Sequence, residues 1–151
     1  WIPPSHCRGG HRWVEGGYGE VPCHAVHAGQ DQDGGPIYAG RAFHEGDLIP
    51  AKVTPTHGCA FVPYAGTEHS KRNYEVLCCE HVAWQFSQRG QVPPEAICFG
   101  RTRDGEPLYM GRVLHEGTLT PGKIHPSHGC LYIPFGGQEI RYDDYEVLVM
   151  T

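Results

Sequence analysis

Along the chain, apolar residues come in short runs broken by turn-formers, and no segment sustains the 3.6-residue apolar spacing of an amphipathic helix. "CHAVHAG" and "PEAICFG" each lead into a polar reversal, "QDQDGGP" and "RTRDGEP", whose shared Asp-Gly supplies the positive-φ position that a tight hairpin needs. The next run, "PIYAGRAF", alternates: Ile37, Ala39, Arg41 and Phe43 fall on one face, and Tyr38, Gly40 and Ala42 on the other. That leaves Arg41, and Arg112 in "PLYMGRVL", on largely apolar faces, where each needs an acceptor such as Glu75 or Glu68. "GCAFVPYAG" and "GCLYIPFGG" read as strands whose proline suits an edge or a bulge, and "NYEVLCC" and "DYEVLVM" as β-branched, aromatic-bearing strands. The pattern predicts an all-β protein with little helix.

Every one of these segments occurs twice. Trp13 and Trp84, Arg41 and Arg112, Lys52 and Lys123, and Tyr74 and Tyr145 are each 71 residues apart, and residues 13–79 aligned without gaps on 84–150 share 29 of 67 identities. Two copies are too few for a solenoid. The short junction "CCEHVAWQ" lacks the composition of a flexible tether. The expectation is therefore one compact pseudo-twofold β unit of two tandem repeats, 13–79 and 84–150, with residues 1–12 as an extension. That extension carries "WIPPSHC", an echo of "HPSHGC" that adds a candidate strand.

Composition narrows the function classes. The 21 Gly and 13 Pro have no collagen-like period and fall between the apolar runs, as turns do. A net charge of −5 with no Lys/Arg-rich window argues against nucleic acid as a partner. No apolar run approaches the ~20 residues of a membrane-spanning helix, so membrane insertion is not expected. Seven cysteines at an odd count, with no dense framework, suggest mostly free thiols. With no visible signal-peptide core this favours the cytoplasm, secretion being the alternative for a processed chain. The His-Gly-Cys motifs at 57–59 and 128–130 offer two metal ligands at most per copy and no Cys-x-x-Cys, so no metal or other cofactor is expected.

The duplication also serves as an internal control. Residues kept in both copies are chiefly what each copy needs to fold, and differences mark sites. Asp31 becomes Thr102 and Asp47 becomes Thr118, while Lys52 and Lys123 agree. Copy one thus has two extra acids near a lysine. Carboxylates accepting from vicinal hydroxyls, with an ammonium donating to a ring or hydroxyl oxygen, suit a neutral polyol. The plainer alternatives are exposed loop acids with a surface ion pair, and a carboxylate pair for glycoside cleavage, which needs a specific separation across a cleft.

The run from Gly29 to Leu77 and its copy from Gly100 to Leu148 share Asp-Gly-x-Pro-x-Tyr-x-Gly-Arg, His-Glu-Gly, Pro-x-Lys, His-Gly-Cys and Tyr-Glu-Val-Leu, and in these motifs the chain resembles the DM-nine repeat family of invertebrate proteins. The resemblance implies an all-β tandem-repeat fold, often a homodimer. It also implies a calcium-independent, mannose-binding lectin, not an enzyme, that recognises mannose-containing glycans and microbial surface polysaccharide in innate immunity. The acid before the hairpin turn and the lysine of the Pro-x-Lys loop match Asp31 and Lys52, and Asp47 is a further loop acid that joins them. The expected carbohydrate site is Asp31, Asp47 and Lys52, with a weaker twin at Lys123, Thr102 and Thr118. A protein-interaction module on the same scaffold and a glycoside hydrolase remain the alternative readings.

Overall fold

The computed structural model describes residues 10–151, so the candidate strand in "WIPPSHC" lies outside the described residues. Among the described residues, fourteen strands account for the regular structure, apart from two single 3-10 turns at Pro55–His57 and Pro126–His128. The all-β expectation holds. The first repeat supplies β1 (Arg12–Gly17), β2 (His27–Gln30), β3 (Pro36–His44), β4 (Asp47–Thr54), β5 (Cys59–Tyr64), β6 (Thr67–Lys71) and β7 (Asn73–Cys78). The second supplies β8 (Val82–Gln88), β9 (Cys98–Arg101), β10 (Pro107–His115), β11 (Thr118–His125), β12 (Cys130–Phe135), β13 (Gln138–Tyr142) and β14 (Asp144–Met150) in the same order.

Within each repeat the hairpins form where the turn chemistry places them. Gly34 and Gly105, with φ of 86° and 93°, carry the reversals between β2 and β3 and between β9 and β10. Neighbouring repeats are then joined by exchanged pairing: β2 lies beside β11, β4 beside β9, and β6 beside β13. With the pairings β3–β4 and β10–β11, the sheet closes into an eight-stranded barrel flanked by further strands. Closure removes the exposed edges of the strands inside it. It is also what lets a chain of two repeats bury a common core.

The core has three parts. Trp13 and Trp84 pack on a cluster between the repeats containing Phe99, Met110 and Leu148, whereas Val53, Val62 and Val76 fill the first repeat and Ile124, Ile133 and Val147 the second. The two arginines on apolar faces find their acceptors at Glu75 and Glu146, at 2.8 and 2.9 Å. Each guanidinium also lies 3.9 Å from a tryptophan centroid, Trp13 or Trp84, and donates to a backbone carbonyl of the other repeat, Phe99 or Ala28. Planarity and five fixed donors suit arginine to this triple role. One expectation fails: β5 and β12 are interior strands, each paired on both sides, and not edges. Pro63 and Pro134 are tolerated because pairing with β4 and β11 ends at Phe61 and Tyr132, before the residue that lacks an N–H.

Candidate functional site

Strand β4 is buried along its whole length because it is paired with β3, β5 and β9. Lys52 therefore sits in the sheet at only 5% exposure, as does Lys123 in β11. A buried ammonium needs a charge partner. Glu68 from β6 lies 3.5 Å from Lys52 Nζ, and Glu139 from β13 lies 3.2 Å from Lys123 Nζ. The other oxygens of these carboxylates reach across the repeats, Glu68 Oε1 accepting from Gly137 N and Glu139 Oε1 from Gly66 N, both at 3.0 Å. Burial pushes the Lys52 pKa down, against the pull of Glu68 and Asp31, which favour its charged form.

Each ammonium also lies between two aromatic rings, one from each repeat. Lys52 Nζ is 5.6 Å from the Phe61 centroid and 5.4 Å from that of Phe135. Lys123 Nζ is 5.4 Å from Tyr64 and 5.5 Å from Tyr132. These distances fall within the range of cation–π attraction. Burial pushes the Tyr132 phenol up to about 12, so at neutral pH it keeps its proton, and a hydrogen bond of 3.0 Å joins it to His128 Nδ1.

The acids are divided differently from the sequence expectation. Asp31 acts electrostatically on Lys52, and its buried Oδ2, which has no hydrogen-bond partner, lies 3.8 Å from His57 Nδ1. Asp47 does not join them. It opens β4, where Leu48 pairs with Arg101 at the end of β9, so its side chain meets the 102–106 turn of the second repeat and Oδ1 accepts from Arg103 N at 2.9 Å. With Thr102, Glu106 and Lys123 it lines a cleft of about 510 Å³. The pseudo-twofold carries Thr118 the other way, toward the Asp31 turn: Leu119 pairs with Gln30, and Gln32 Nε2 donates to Glu116 O at 2.7 Å. Thr118 is 2% exposed, and its hydroxyl donates to His115 O and shares a hydrogen bond with Thr120 Oγ1, both at 2.6 Å, which corrects its assignment as a ligand contact.

Glu106 is the residue that sequence reading passed over. It stands where the first repeat has Gly35. Its Oε1 accepts from His125 Nε2 at 3.0 Å and from Ser127 Oγ at 2.7 Å, and its Oε2 from Ser127 N at 2.7 Å. Burial by itself would raise this carboxyl, but the bonds from Ser127 and His125 outweigh it and hold the pKa below its usual value. Burial pushes the His125 imidazole down, helped by His128 stacked on it at 3.6 Å between centroids. The Lys123 cleft is thus lined by two carboxylates, Asp47 and Glu106, although Thr102 and Thr118 replace the acids of the first copy. The signal was available as a Gly-to-Glu difference between the copies.

Chemically, both lysines combine a fixed ammonium, a carboxylate and aromatic rings, and at Lys123 these groups line a cleft, a set suited to donating to and accepting from a neutral polyhydroxylated ligand. Among the described residues, no three His, Cys, Asp or Glu side chains converge as a metal-holding group.

A family model for the DM9 repeat matches residues 31–142. The chain belongs to the DM9 repeat family. Among curated proteins, this DM9 protein is 29% identical to Natterin-4 of Thalassophryne nattereri over 134 residues, 86% of the chain but 32% of that relative. It is 29% identical to Natterin-3 of the same species over 104 residues, 65% of the chain and 26% of the relative. The chain thus spans about a third or less of the curated relatives it matches. Among solved structures, the nematode sperm cell motility protein MFP2B superposes with a TM-score of 0.63 over 93% of this chain and 47% of that one, at 11% identity. That likeness concerns the fold.

Proposed function

We propose that this DM9 protein is a calcium-independent carbohydrate-binding protein, mannose-preferring and non-catalytic, that recognises mannose-containing glycans of microbial surfaces in innate immunity. The observation that supports it is the repeated constellation of a buried lysine held by a glutamate, a further acid close by, and two flanking aromatic rings. Acid and ammonium together offer acceptors and donors to vicinal hydroxyls, and the rings offer apolar faces to sugar C–H groups. Single shallow sites bind monosaccharides weakly, so two sites per chain, doubled in a homodimer, suit a multivalent surface.

The test is calorimetric titration with methyl mannoside of the wild type and of Lys52→Ala and Lys123→Ala, made singly and together. Loss of binding in the double variant, with the fold retained by circular dichroism, is expected. Unchanged binding in that variant overturns the site.

One observation favours a second reading, a module that binds a protein partner. Phe86 and Leu114, 63% and 79% exposed, border a shallow groove that also includes Val113 and Leu119. A silent glycan array would favour that reading.

A further inference from the structure

Large apolar side chains left in water gather away from the lysines, in two grooves that the duplication relates. Phe43, 62% exposed, borders a groove that runs past Ala42 and Leu48 to Lys71 and Arg72. Phe86 and Leu114 border the groove that reaches Val113, Leu119 and Asp144. The two are counterparts, because Phe43 and Leu114, Leu48 and Leu119, and Asn73 and Asp144 are each 71 residues apart. Among the described residues, β1 and β8 stand first and last in the strand order of the sheet, and each groove lies beside one of them, at Glu15 and at Phe86. An open sheet end flanked by exposed apolar groups is a surface that gains from being covered.

What differs between the grooves is charge. Lys71, Arg72 and Asn73 of the first copy become Tyr142, Asp143 and Asp144 in the second, and Glu15 becomes Phe86. Arg41 and Glu75 neutralise each other in one groove, and Arg112 and Glu146 in the other. Asp143 is taken up by Arg141 at 3.2 Å. Among the described residues, Lys71, Arg72, Glu15 and Asp144 form no ion pair. Two cations against one acid leave the first groove positive, and Asp144 leaves the second negative.

That opposition decides what can cover them. Two first grooves face to face set Lys71 and Arg72 against their own copies, and two second grooves set Asp144 against Asp144. Only a first groove against a second matches charge while covering apolar groups on both sides. We propose that copies of this chain associate head to tail, the second groove of one copy seated on the first groove of the next. Phe86 and Leu114 then cover Ala42, Phe43 and Leu48, and Asp144 faces Lys71 and Arg72. Such a contact is heterologous: a joined pair still offers one free groove of each kind, so addition continues past two copies until a ring closes or the protein runs out. It multiplies the lysine sites on one assembly. No sugar takes part in it, so it stands or falls apart from the carbohydrate reading.

The test is sedimentation velocity from micromolar to millimolar protein, where the wild type should grow beyond two copies. Phe86→Ser with Leu114→Ser disables the second groove, and Lys71→Glu with Arg72→Glu disables the first; circular dichroism and an unchanged thermal midpoint check the fold. Each variant alone should lose the growth. Mixed in equal amounts, they should form a complex of one copy of each and nothing larger, because each keeps the groove that the other lacks. Asp144→Lys, which leaves the apolar groups in place, should weaken association about tenfold or more in the wild type and restore it in the Lys71→Glu, Arg72→Glu chain. A wild type that stays at one size, a single-groove variant that grows like the wild type, or a mixture without a complex overturns the head-to-tail contact.

Discussion

Glu68 and Glu139 are reciprocal clamps: each pairs with the lysine of its own repeat and accepts a backbone N–H from the other, Gly137 for Glu68 and Gly66 for Glu139. The same carboxylate thus fixes the site lysine and the seam between β6 and β13. Replacing Glu68 by Gln keeps the amide bond geometry but leaves the Lys52 ammonium without its counter-charge. Breaking a largely buried pair from one side costs about 3 kcal/mol. Chemical denaturation should show that loss as a lower midpoint with an unchanged slope, and Glu139→Gln should match it.

Inter-repeat pairing depends on two glycines related by the duplication. A Cβ at Gly29 would overlap the backbone oxygen of Leu119, and one at Gly100 that of Leu48, both on strands of the opposite repeat. Backbone cannot yield there without parting β2 from β11 or β4 from β9. Gly29→Ala and Gly100→Ala should each destabilise by about 3 kcal/mol or more, well beyond an ordinary exposed Gly→Ala change. Thermal unfolding distinguishes them from Gly66→Ala, where open space surrounds the added carbon and only the positive φ of 85° opposes it.

What the sequence made legible was local or repeated. The hairpin reversals at Gly34 and Gly105 follow from turn chemistry, and the Arg41–Glu75 pair from an arginine on an apolar strand face. Which loop meets which lysine was not legible, because strand exchange depends on pairings such as Leu48 with Arg101 that no spacing along the chain encodes. Asp47 is five residues from Lys52 in sequence, yet it serves the other lysine. Glu106 was hidden for a different reason: the comparison followed acids lost from copy two and not the one gained.

The Glu106 carboxyl ties the β9–β10 turn to Ser127 and His125. Its folded pKa lies below its unfolded value of about 4.5, so its contribution is present above that pH and is lost as pH falls through the folded value. Stability of the wild type minus that of Glu106→Gln should therefore be constant at neutral pH and shrink below about pH 4.5. A difference that stays level across the acid range would remove Glu106 from this role.

Reassignment of Asp47 gives the sharpest separation between the two sites. Its Oδ1 accepts the Arg103 N–H, and the side chain lies in the Lys123 cleft, whereas Asp31 and His57 belong to the Lys52 side. Asp47→Ala deletes one bond from a charged acceptor and frees the 102–106 turn, a loss of about 1.5 to 3 kcal/mol. In amide NMR spectra, the shifts should concentrate at residues 102–106 and around Lys123, and ligand binding at the Lys123 cleft should weaken. Residues around Lys52 should hold their shifts, because β4 stays paired with β3 beyond Leu48 and with β5 from Lys52 onward. Asp31→Ala should give the complementary map, disturbing His57 and Lys52 and sparing the 102–106 turn. If both variants moved the same amides, the two lysine sites would be one coupled unit and the assignment of Asp47 across the repeats would fail.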